Sequence, residues 1–429
     1  CQATDRPGSP SPDTPTAITM TSTRTSFAEQ RTGGHWPGTV TVALIATVTV
    51  MPGFTVGALA GAMEHDLRTS PSTLGLAMSA FYAATALGSP FTKRLAARLP
   101  VPWVLGASAV AASAVLFTVS RTSDLAVLVS ALVAGGFTNG LVQPAAGRLI
   151  AVRTPRHRRS LAAGLLGAAL GAATLVPGLL VALVLQPYGW RTAMAVAGAI
   201  ALVPVAFVGF TRIPPSPLPV HRNAGGDGAR PPNVGRVLVL WSLAAALSAI
   251  GNNAVASYFV QLGTQSGTSV AVAGNLLSLS AILAIAVRLV TGALADRAPH
   301  RNPTVITGMM FTGAAGLALI AIGTPATFVL GAVLAFSAGW GWTGLLLSTT
   351  LRLVPGSAEN AGHTVQVGVY TGATIAPFAF GAISGALTFS IAALAAAAAG
   401  LAGAAAMAAG ARELRGRQRS APPSSQGTR

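Results

Sequence analysis

The sequence predicts an all-α membrane protein with twelve transmembrane helices in two pseudo-symmetric six-helix bundles. Its 429 residues are 52% hydrophobic and only 9% charged, whereas soluble domains usually contain roughly 25% charged residues. The apolar residues form twelve runs, each long enough for the roughly 20 residues that cross a bilayer. These runs are too long for barrel strands, and lipid offers the backbone no hydrogen-bond partners, so they are predicted to be helices.

The predicted spans fall into two groups of six around a polar linker. Residues 1–37 are rich in Pro, Ser and Thr, which is typical of a disordered tail. The N-terminal bundle covers 38–211, a Pro- and Gly-rich linker covers 212–236, and the C-terminal bundle covers 237–411, followed by a basic tail at 412–429. The individual spans are predicted at about 38–62, 71–92, 102–120, 125–150, 160–185, 190–211, 237–263, 270–294, 303–322, 326–350, 361–387 and 388–411.

Matching residues in the two halves indicate an internal repeat. Gly88 follows the second span and Gly292 follows the eighth, 204 positions later. Arg148 and Arg352, at the ends of the fourth and tenth spans, are also 204 positions apart. The same order in both halves favours a duplicated six-helix unit.

The distribution of basic residues predicts the orientation in the membrane. With the N-terminus inside, the cytosolic segments hold 23 of the 27 Lys and Arg residues, and the outer loops hold only Arg68, Arg121 and Arg191. This excess predicts cytosolic termini and a multi-pass protein of the plasma (inner) membrane. The use of 26 Arg against one Lys, with abundant Ala, suggests a bacterium with a GC-rich genome.

Several functional classes are disfavoured by the sequence. The net charge of +17 is spread in small groups between apolar runs, so no nucleic acid is expected as a partner. The single cysteine, Cys1, excludes an internal disulfide framework, and Met20 is a plausible initiator. The chain contains no P-loop, and the spans contain no paired carboxylates, His cluster or Ser–His pair. We therefore expect that the protein is not an enzyme and binds no metal and no cofactor. We also expect a monomer whose partners are the lipid bilayer and a small-molecule substrate.

The loop "GALADRAPHR" after the eighth span resembles a motif of the major facilitator superfamily. That motif reads Gly-x-Leu-Ala-Asp-Arg-x-Gly-Arg-Arg, and six positions match it here. The degraded first-half copy has Thr92 in place of the Asp. The resemblance implies the major facilitator fold and transport by alternating access. In it, the motif residues Gly292, Asp296, Arg297, Gly88, Lys93 and Arg94 would serve in gating.

Each motif residue also has a physical role that the sequence predicts. Gly292 is expected to allow a close approach of neighbouring helices. Asp296 ends the eighth span, where it can accept hydrogen bonds from Arg297 or from a helix N-terminus and so act as a latch. The alternative is that the charges of Asp296 and Arg297 merely mark the membrane surface.

Arg288 is the most informative polar residue because it lies inside a span. It precedes Asp296 by eight residues, which places it roughly 12 Å deeper in the membrane. One interpretation is that its side chain snorkels to the cytosol. However, side chains tilt toward the helix N-terminus, which here points away from the cytosol. We therefore predict that Arg288 clamps a carboxylate.

The segment "RLVTGALADR" is similar to the eighth helix of monocarboxylate porters and oxalate–formate exchangers. In those families an Arg four residues before the motif Gly binds the substrate carboxylate, and Arg288 occupies that position. Ala284 stands where monocarboxylate porters have an Asp, and the eleventh span has no Lys or Arg, unlike the oxalate exchangers. The overall sequence also resembles the cyanate-permease-like branch.

Other polar side chains at helical spacing are candidates for lining a central cavity. The alternative for each is an interhelical hydrogen bond. The candidates are Asn139 and Gln143 in the fourth span, Asn252, Asn253, Ser257, Tyr258 and Gln261 in the seventh, and Gln366 and Tyr370 in the eleventh.

These observations favour a secondary active or facilitative transporter of a small organic anion such as a monocarboxylate. No Asp or Glu lies in the middle of a predicted span, which argues against a carboxylate proton relay. Uniport, anion exchange and proton symport remain open. The alternative function is efflux of a drug or metabolite, and a more distant one is a receptor or scaffold that transports nothing.

Overall fold

The computed structural model describes residues 36–155, 159–213, 234–295, 297–353 and 358–420. We number the membrane-crossing helices α1–α12. The first six are α1 (Trp36–Ala58), α2 (Pro71–Arg98), α3 (Val101–Arg121), α4 (Leu125–Arg153), α5 (Arg159–Ala172, Leu175–Leu180 and a π-helical turn, Val181–Leu185) and α6 (Gln186–Leu202, followed by a 3-10 turn, Val203–Thr211). The last six are α7 (Val234–Ser257), α8 (Val270–Leu294), α9 (Asn302–Ile322), α10 (Pro325–Phe336 and Ala338–Leu353), α11 (Ala358–Ala386) and α12 (Phe389–Ser420).

Two short helices continue α1 and α7 beyond the apolar spans. We call Ala60–Leu67 the α1 extension and Phe259–Gln265 the α7 extension. The chain also forms a 3-10 turn at Pro299–Arg301, before α9. The predicted tail 1–37 and linker 212–236 lie mostly outside the described residues, whereas α12 continues through the first part of the predicted basic tail, to Ser420.

The predicted all-α membrane fold is confirmed. Within the described residues, eleven helical segments are long and apolar enough to cross a membrane. One of them, Leu175–Thr211, is 37 residues long and contains both the end of α5 and the whole of α6. The chain turns between these two helices at Gly189, whose φ of 78° favours glycine. That turn separates α5 from α6, so the described residues form twelve membrane-crossing helices.

The two surfaces of the helix assembly are named here by the chain ends. The terminal face is the side at which α1 begins, at Trp36, and α12 ends, at Ser420. The opposite face is the side at which α1 ends and α2 begins, at Pro71. The bundles meet where α2 packs against α11, α5 against α8, and α1 against α7.

Glycines bring the two bundles into close contact near the opposite face. A Cβ at Gly57 in α1 would lie 2.6 Å from the carbonyl oxygen of Ser257 in α7. A Cβ at Gly75 in α2 would collide with the carbonyl of Pro377 in α11 and with the hydroxyl of Tyr258. Helix backbones can approach this closely only where small residues lie between them. The bundles are therefore closed against each other on this side.

Hydrogen bonds between the bundles reinforce this contact. The Tyr258 hydroxyl donates to the carbonyl oxygen of Pro71 at 2.6 Å, which joins the end of α7 to the start of α2. Ser278 in α8 donates its hydroxyl to the carbonyl of Leu175 in α5 at 3.0 Å. Both bonds are formed in the half of the protein nearest the opposite face, so separating the bundles there would break them.

Near the terminal face, glycines of four helices meet open space instead. A Cβ at Gly147 in α4, Gly164 in α5, Gly292 in α8 or Gly344 in α10 would have no atom within 4 Å. In the same region Arg148 of α4 donates to the carbonyls of Ala96 and Leu99, so its hydrogen bonds stay within the N-terminal bundle and do not join the two bundles. The close glycine contacts at Gly57 and Gly75, which join the two bundles, therefore have no counterpart at these four positions.

The "GWR" sequence that opens α6 holds the opposite face of the N-terminal bundle together. The Trp190 indole donates to the Asp66 carboxylate at 3.1 Å, and Arg191 forms an ion pair with the same group. Arg191 also donates to the hydroxyl of Ser123 at 3.0 Å. The hydrogen bonds from Arg191 and then Trp190 lower the pKa of Asp66. The stability that this network contributes is therefore lost as the pH falls through the lowered pKa of Asp66.

Candidate functional site

Arg288 is buried between helices of both bundles. It lies six residues before the end of α8, roughly 9 Å from that end, and only 4% of its surface is exposed. Its Nη2 donates to the carbonyl oxygen of Trp340 in α10 at 2.7 Å. A Cβ at Gly171 in α5 would lie 2.5 Å from its Nη1, so the guanidinium occupies space that only a glycine leaves open. The side chain is enclosed by protein and does not snorkel to a surface.

The guanidinium of Arg288 keeps unused donors. Its Nε and Nη1 are buried and have no hydrogen-bond partner, and it makes no ion pair with any residue that the structure describes. The guanidinium carbon lies over the ring of Trp340, 5.7 Å from its centroid. An unpaired buried charge costs several kcal/mol, and an anion would supply both the missing charge and the missing acceptors.

Aromatic rings extend from Arg288 across the interface between the bundles. The Trp340 ring contacts Phe336 and Phe54 edge to face, each at 5.5 Å between centroids. Phe54 in α1 in turn contacts Tyr82 in α2 at 6.2 Å. The Tyr82 hydroxyl is buried without a partner. The site thus combines one guanidinium, a row of aromatic rings and one buried hydroxyl without a hydrogen-bond partner.

Asn252 and Asn253, the predicted residues of α7 next to this site, both donate hydrogen bonds to backbone carbonyls. Asn252 donates to the carbonyl of Gly339 at 2.7 Å, just after α10 is interrupted at Ser337. Asn253 donates to the carbonyl of Ala249 in its own helix at 2.9 Å. Asn252 and Arg288 therefore both hold the segment of α10 that follows the interruption.

Three further predicted residues of α7 lie at the opposite face, toward the extension. Ser257 donates to the carbonyl of Asn253 at 2.8 Å. Tyr258 bonds to Pro71, as described above, and Gln261 donates to the carboxylate of Glu64 in the α1 extension at 2.7 Å. The contacts of Tyr258 and Gln261 join the bundles and place these two residues apart from Arg288, whereas the Ser257 bond stays within α7.

The predicted residues of α4 lie in the N-terminal bundle. Asn139 accepts a hydrogen bond from Thr49 of α1 at 3.3 Å and donates to Thr85 of α2 at 3.3 Å. Gln143, one turn closer to the terminal face, is exposed. Asn139 thereby connects three helices, while Gln143 keeps an accessible amide.

The predicted residues of α11 pair with each other. The side chains of Gln366 and Tyr370 are hydrogen-bonded, and both are partly buried. Their spacing of four residues places them on one face of the helix.

The second-half motif does not pack as its sequence predicts. Asp296 lies outside the described residues. The close helix approach expected at Gly292 is absent, because a Cβ there would meet no atom within 4 Å. Arg297 is exposed, and its backbone N–H donates to the carbonyl of Leu294. In this conformation the described residues therefore do not form the close approach expected at Gly292, although Ala295 at the end of α8 is buried.

The first-half motif shows the close approach instead. A Cβ at Gly88 in α2 would lie 2.6 Å from the ring of Phe137 in α4. Lys93 and Arg94 are exposed near the end of α2. The glycine of this copy is therefore a packing position within the N-terminal bundle.

Sequence reasoning missed two groups that contact Arg288 and one partner of Gln261. Gly171 lies in a run of Gly and Ala in which nothing distinguishes it from its neighbours. The carbonyl of Trp340 is a backbone group, and the only signal for its position is the "AGWG" sequence after the interruption of α10. Glu64 follows the first predicted span, and its pairing with Gln261 depends on how the bundles meet.

Known structures share this architecture at low sequence identity. A bacterial homologue of the human lysosomal transporter Spinster, inward-facing and unoccupied, matches with a TM-score of 0.63 at 16% identity, over 90% of this chain and 95% of that one. Its occupied form matches with a TM-score of 0.62 at 16% identity, over 89% and 96%. A variant of the nucleoside transporter NupG matches with a TM-score of 0.63 at 13% identity, over 87% and 99%.

These similarities establish the fold, and the sequence itself identifies the family. A search of curated proteins gives no significant match. The family model described as Major Facilitator Superfamily matches residues 42–367, which is most of the chain. Membrane solute transport follows from this match and from the shared fold. The chain therefore belongs to the major facilitator superfamily of membrane transporters.

Proposed function

We propose that this protein is a secondary transporter of a small organic anion, a monocarboxylate in particular, which binds at Arg288. The observation that carries the proposal is the buried guanidinium with two donor nitrogens that no described residue satisfies. A carboxylate would compensate the charge and accept from these donors. Burial between the bundles puts the anion where both halves can contact it, as alternating access requires.

The difference between the two faces supports alternating access. Close contacts between the bundles at Gly57 and Gly75 contrast with open space at Gly147 and Gly292. The basic residues favour a cytosolic terminal face, with both chain termini inside and the plasma membrane as the location. In this assignment the conformation is closed toward the outside, and the anion would reach the buried Arg288 from the cytosolic side.

The charge and shape of the site favour a monocarboxylate over a dicarboxylate. Arg288 is the only Lys or Arg within the described parts of α8 and α11. One cation pairs with one carboxylate, and a second carboxylate would remain buried without a partner. The aromatic rings of Phe54 and Trp340 offer an apolar surface to the rest of the molecule.

A panel of labelled solutes tests this proposal in proteoliposomes. The panel holds monocarboxylates with apolar bodies, the matching dicarboxylates, and the uncharged amides of the same acids. We expect saturable uptake of monocarboxylates, at least tenfold faster than uptake of dicarboxylates or amides, because only the monocarboxylates match the charge of Arg288. Saturable transport of amides or of hydrophobic cations without carboxylates would contradict the proposal and favour drug or metabolite efflux.

A further inference from the structure

Glu64 and Gln261 form a contact between the bundles that the transport site does not use. Glu64 lies in the α1 extension, and its Oε2 accepts from Nε2 of Gln261 in the α7 extension at 2.7 Å. A Cβ at Gly61, one turn earlier, would lie 3.3 Å from Cγ of Gln261. Gln261 therefore packs on the α1 extension, and its amide crosses from one bundle to the other.

This contact leaves two acceptor oxygens buried without partners. Oε1 of Glu64 and Oε1 of Gln261 are both buried and accept no hydrogen bond. If the carboxyl group is ionised, neither oxygen can donate to the other, and both lose their hydration. If it carries a proton, its O–H can donate to the amide oxygen while the amide N–H donates back. An acid and a primary amide are complementary in this form.

We propose that Glu64 is a proton-binding site whose protonation locks the two bundles together at the opposite face by pairing its carboxylic acid with the amide of Gln261. The proton comes from the solution at that face and forms an O–H bond on the carboxylate. It returns to the same solution when the bundles separate. The inference rests on the proposed alternating-access function, to which it adds control by pH at the opposite face.

The surroundings of Glu64 favour the protonated form in the closed state. Burial raises the pKa of Glu64 to about 7 from its ordinary 4.5, although the hydrogen bond from Gln261 lowers it. The α7 extension carries no charged residue, and the nearby Asp66 and Arg191 are paired with each other. The other titratable or charged groups around Glu64 are His65, Asp66 and Arg68 on its own segment, Arg191 on α6, and the phenol of Tyr258 next to the α7 extension.

The direction of the pH effect follows from the two states. In the closed state Glu64 binds its proton with the raised pKa, and in an open state the exposed carboxyl returns toward 4.5. Protonation of Glu64 therefore favours the closed state. This stabilisation of the closed state is fully present below about pH 4.5 and is lost as the pH rises through about 7. The full shift sets an upper bound of about 300-fold on the change in the ratio of closed to open molecules, and the partial exposure of Glu64 to solvent lowers the expected change below that bound.

Distances between spin labels on the two bundles test the proposal. The labels are placed on the full-length protein with Cys1→Ser, through Tyr188→Cys in the N-terminal bundle and Ile322→Cys in the C-terminal one. Both positions are exposed at the opposite face. The reconstituted protein is measured between pH 4.5 and 8.5 without any organic anion. We expect short distances at low pH and a growing population of long distances as the pH rises.

Three further variants make the outcome decisive. Glu64→Gln, which mimics the protonated acid, is expected to keep the short distance at every pH. Gln261→Leu removes the amide and is expected to give long distances already at pH 5. Glu413→Gln, the same substitution near the terminal face, is expected to behave as wild type.

A pH-independent distance in wild type, the same pH dependence in Glu64→Gln, or an unchanged distance in Gln261→Leu would overturn the proposal. Because Arg288 is intact and no anion is present, these outcomes do not depend on whether Arg288 binds a carboxylate.

Discussion

Arg288→Met is expected to abolish anion binding without lowering the thermal stability of the protein. Methionine fills a similar volume and carries no charge, so the variant removes an unpaired buried cation and loses one hydrogen bond, to Trp340. Replacing even a buried ion pair with apolar side chains of similar volume is often neutral or stabilising by about 1–4 kcal/mol, and Arg288 has no described ion-pair partner to lose. We therefore expect the melting temperature without ligand to be equal to or higher than that of wild type.

The change in melting temperature on adding the anion distinguishes a loss of anion binding from a simple gain in stability. At about 100 times its Kd, an anion that binds only the folded state stabilises it by about 2.7 kcal/mol, and wild type should show the corresponding rise in melting temperature. Arg288→Met should show none. Arg121→Met, at the exposed end of α3, is the control and should keep the full response. A large fall in the melting temperature of Arg288→Met without ligand would show that the arginine is mainly structural.

Gly75→Leu is expected to stop transport by preventing closure of the opposite face. Any side chain at Gly75 would meet the carbonyl of Pro377 and the hydroxyl of Tyr258, which belong to the other bundle. Overpacking costs about 1–3 kcal/mol or more, so the ratio of closed to open molecules should fall roughly fivefold to more than a hundredfold. The packing within each bundle is expected to be preserved, so the variant should still fold and insert.

Gly147→Leu provides the matched control for this prediction. It introduces the same side chain into α4 near the terminal face, where a Cβ would meet no atom within 4 Å. We expect substantial transport by Gly147→Leu and at least tenfold slower transport by Gly75→Leu, measured as initial uptake per molecule inserted. Equal rates in the two variants would show that the contact between α2 and α11 does not have to close during transport.

The fold could be predicted because membrane insertion depends on properties that the sequence displays directly. Runs of apolar residues of sufficient length predict helices wherever lipid is the solvent. The difficult boundary was between α5 and α6, where one continuous helical run of 37 residues joins the end of α5 to the whole of α6. The turn there depends on the backbone of Gly189 and not on a polar loop, so hydropathy alone marks it weakly.

The site could be predicted only where a residue conflicted with its surroundings. Arg288 stood out because a charge inside an apolar span is costly, and the structure places it in a buried position between the bundles. Polar residues at helical spacing gave no such signal. Asn252 bonds to the backbone of α10, whereas Gln261 contacts Glu64 at the opposite face. Which of these occurs depends on how the helices cross, and spacing along one helix does not encode that crossing.

Counterflow of a labelled monocarboxylate in proteoliposomes tests the central claim most directly, because exchange requires both a binding site and alternating access. Wild type loaded with the unlabelled anion should accumulate the label transiently. Arg288→Lys should exchange at least tenfold more slowly, because an ammonium keeps the charge but not the planar set of donors. Arg288→Met should not exchange. Counterflow at the wild-type rate in Arg288→Met would contradict the assignment of the anion site to this arginine.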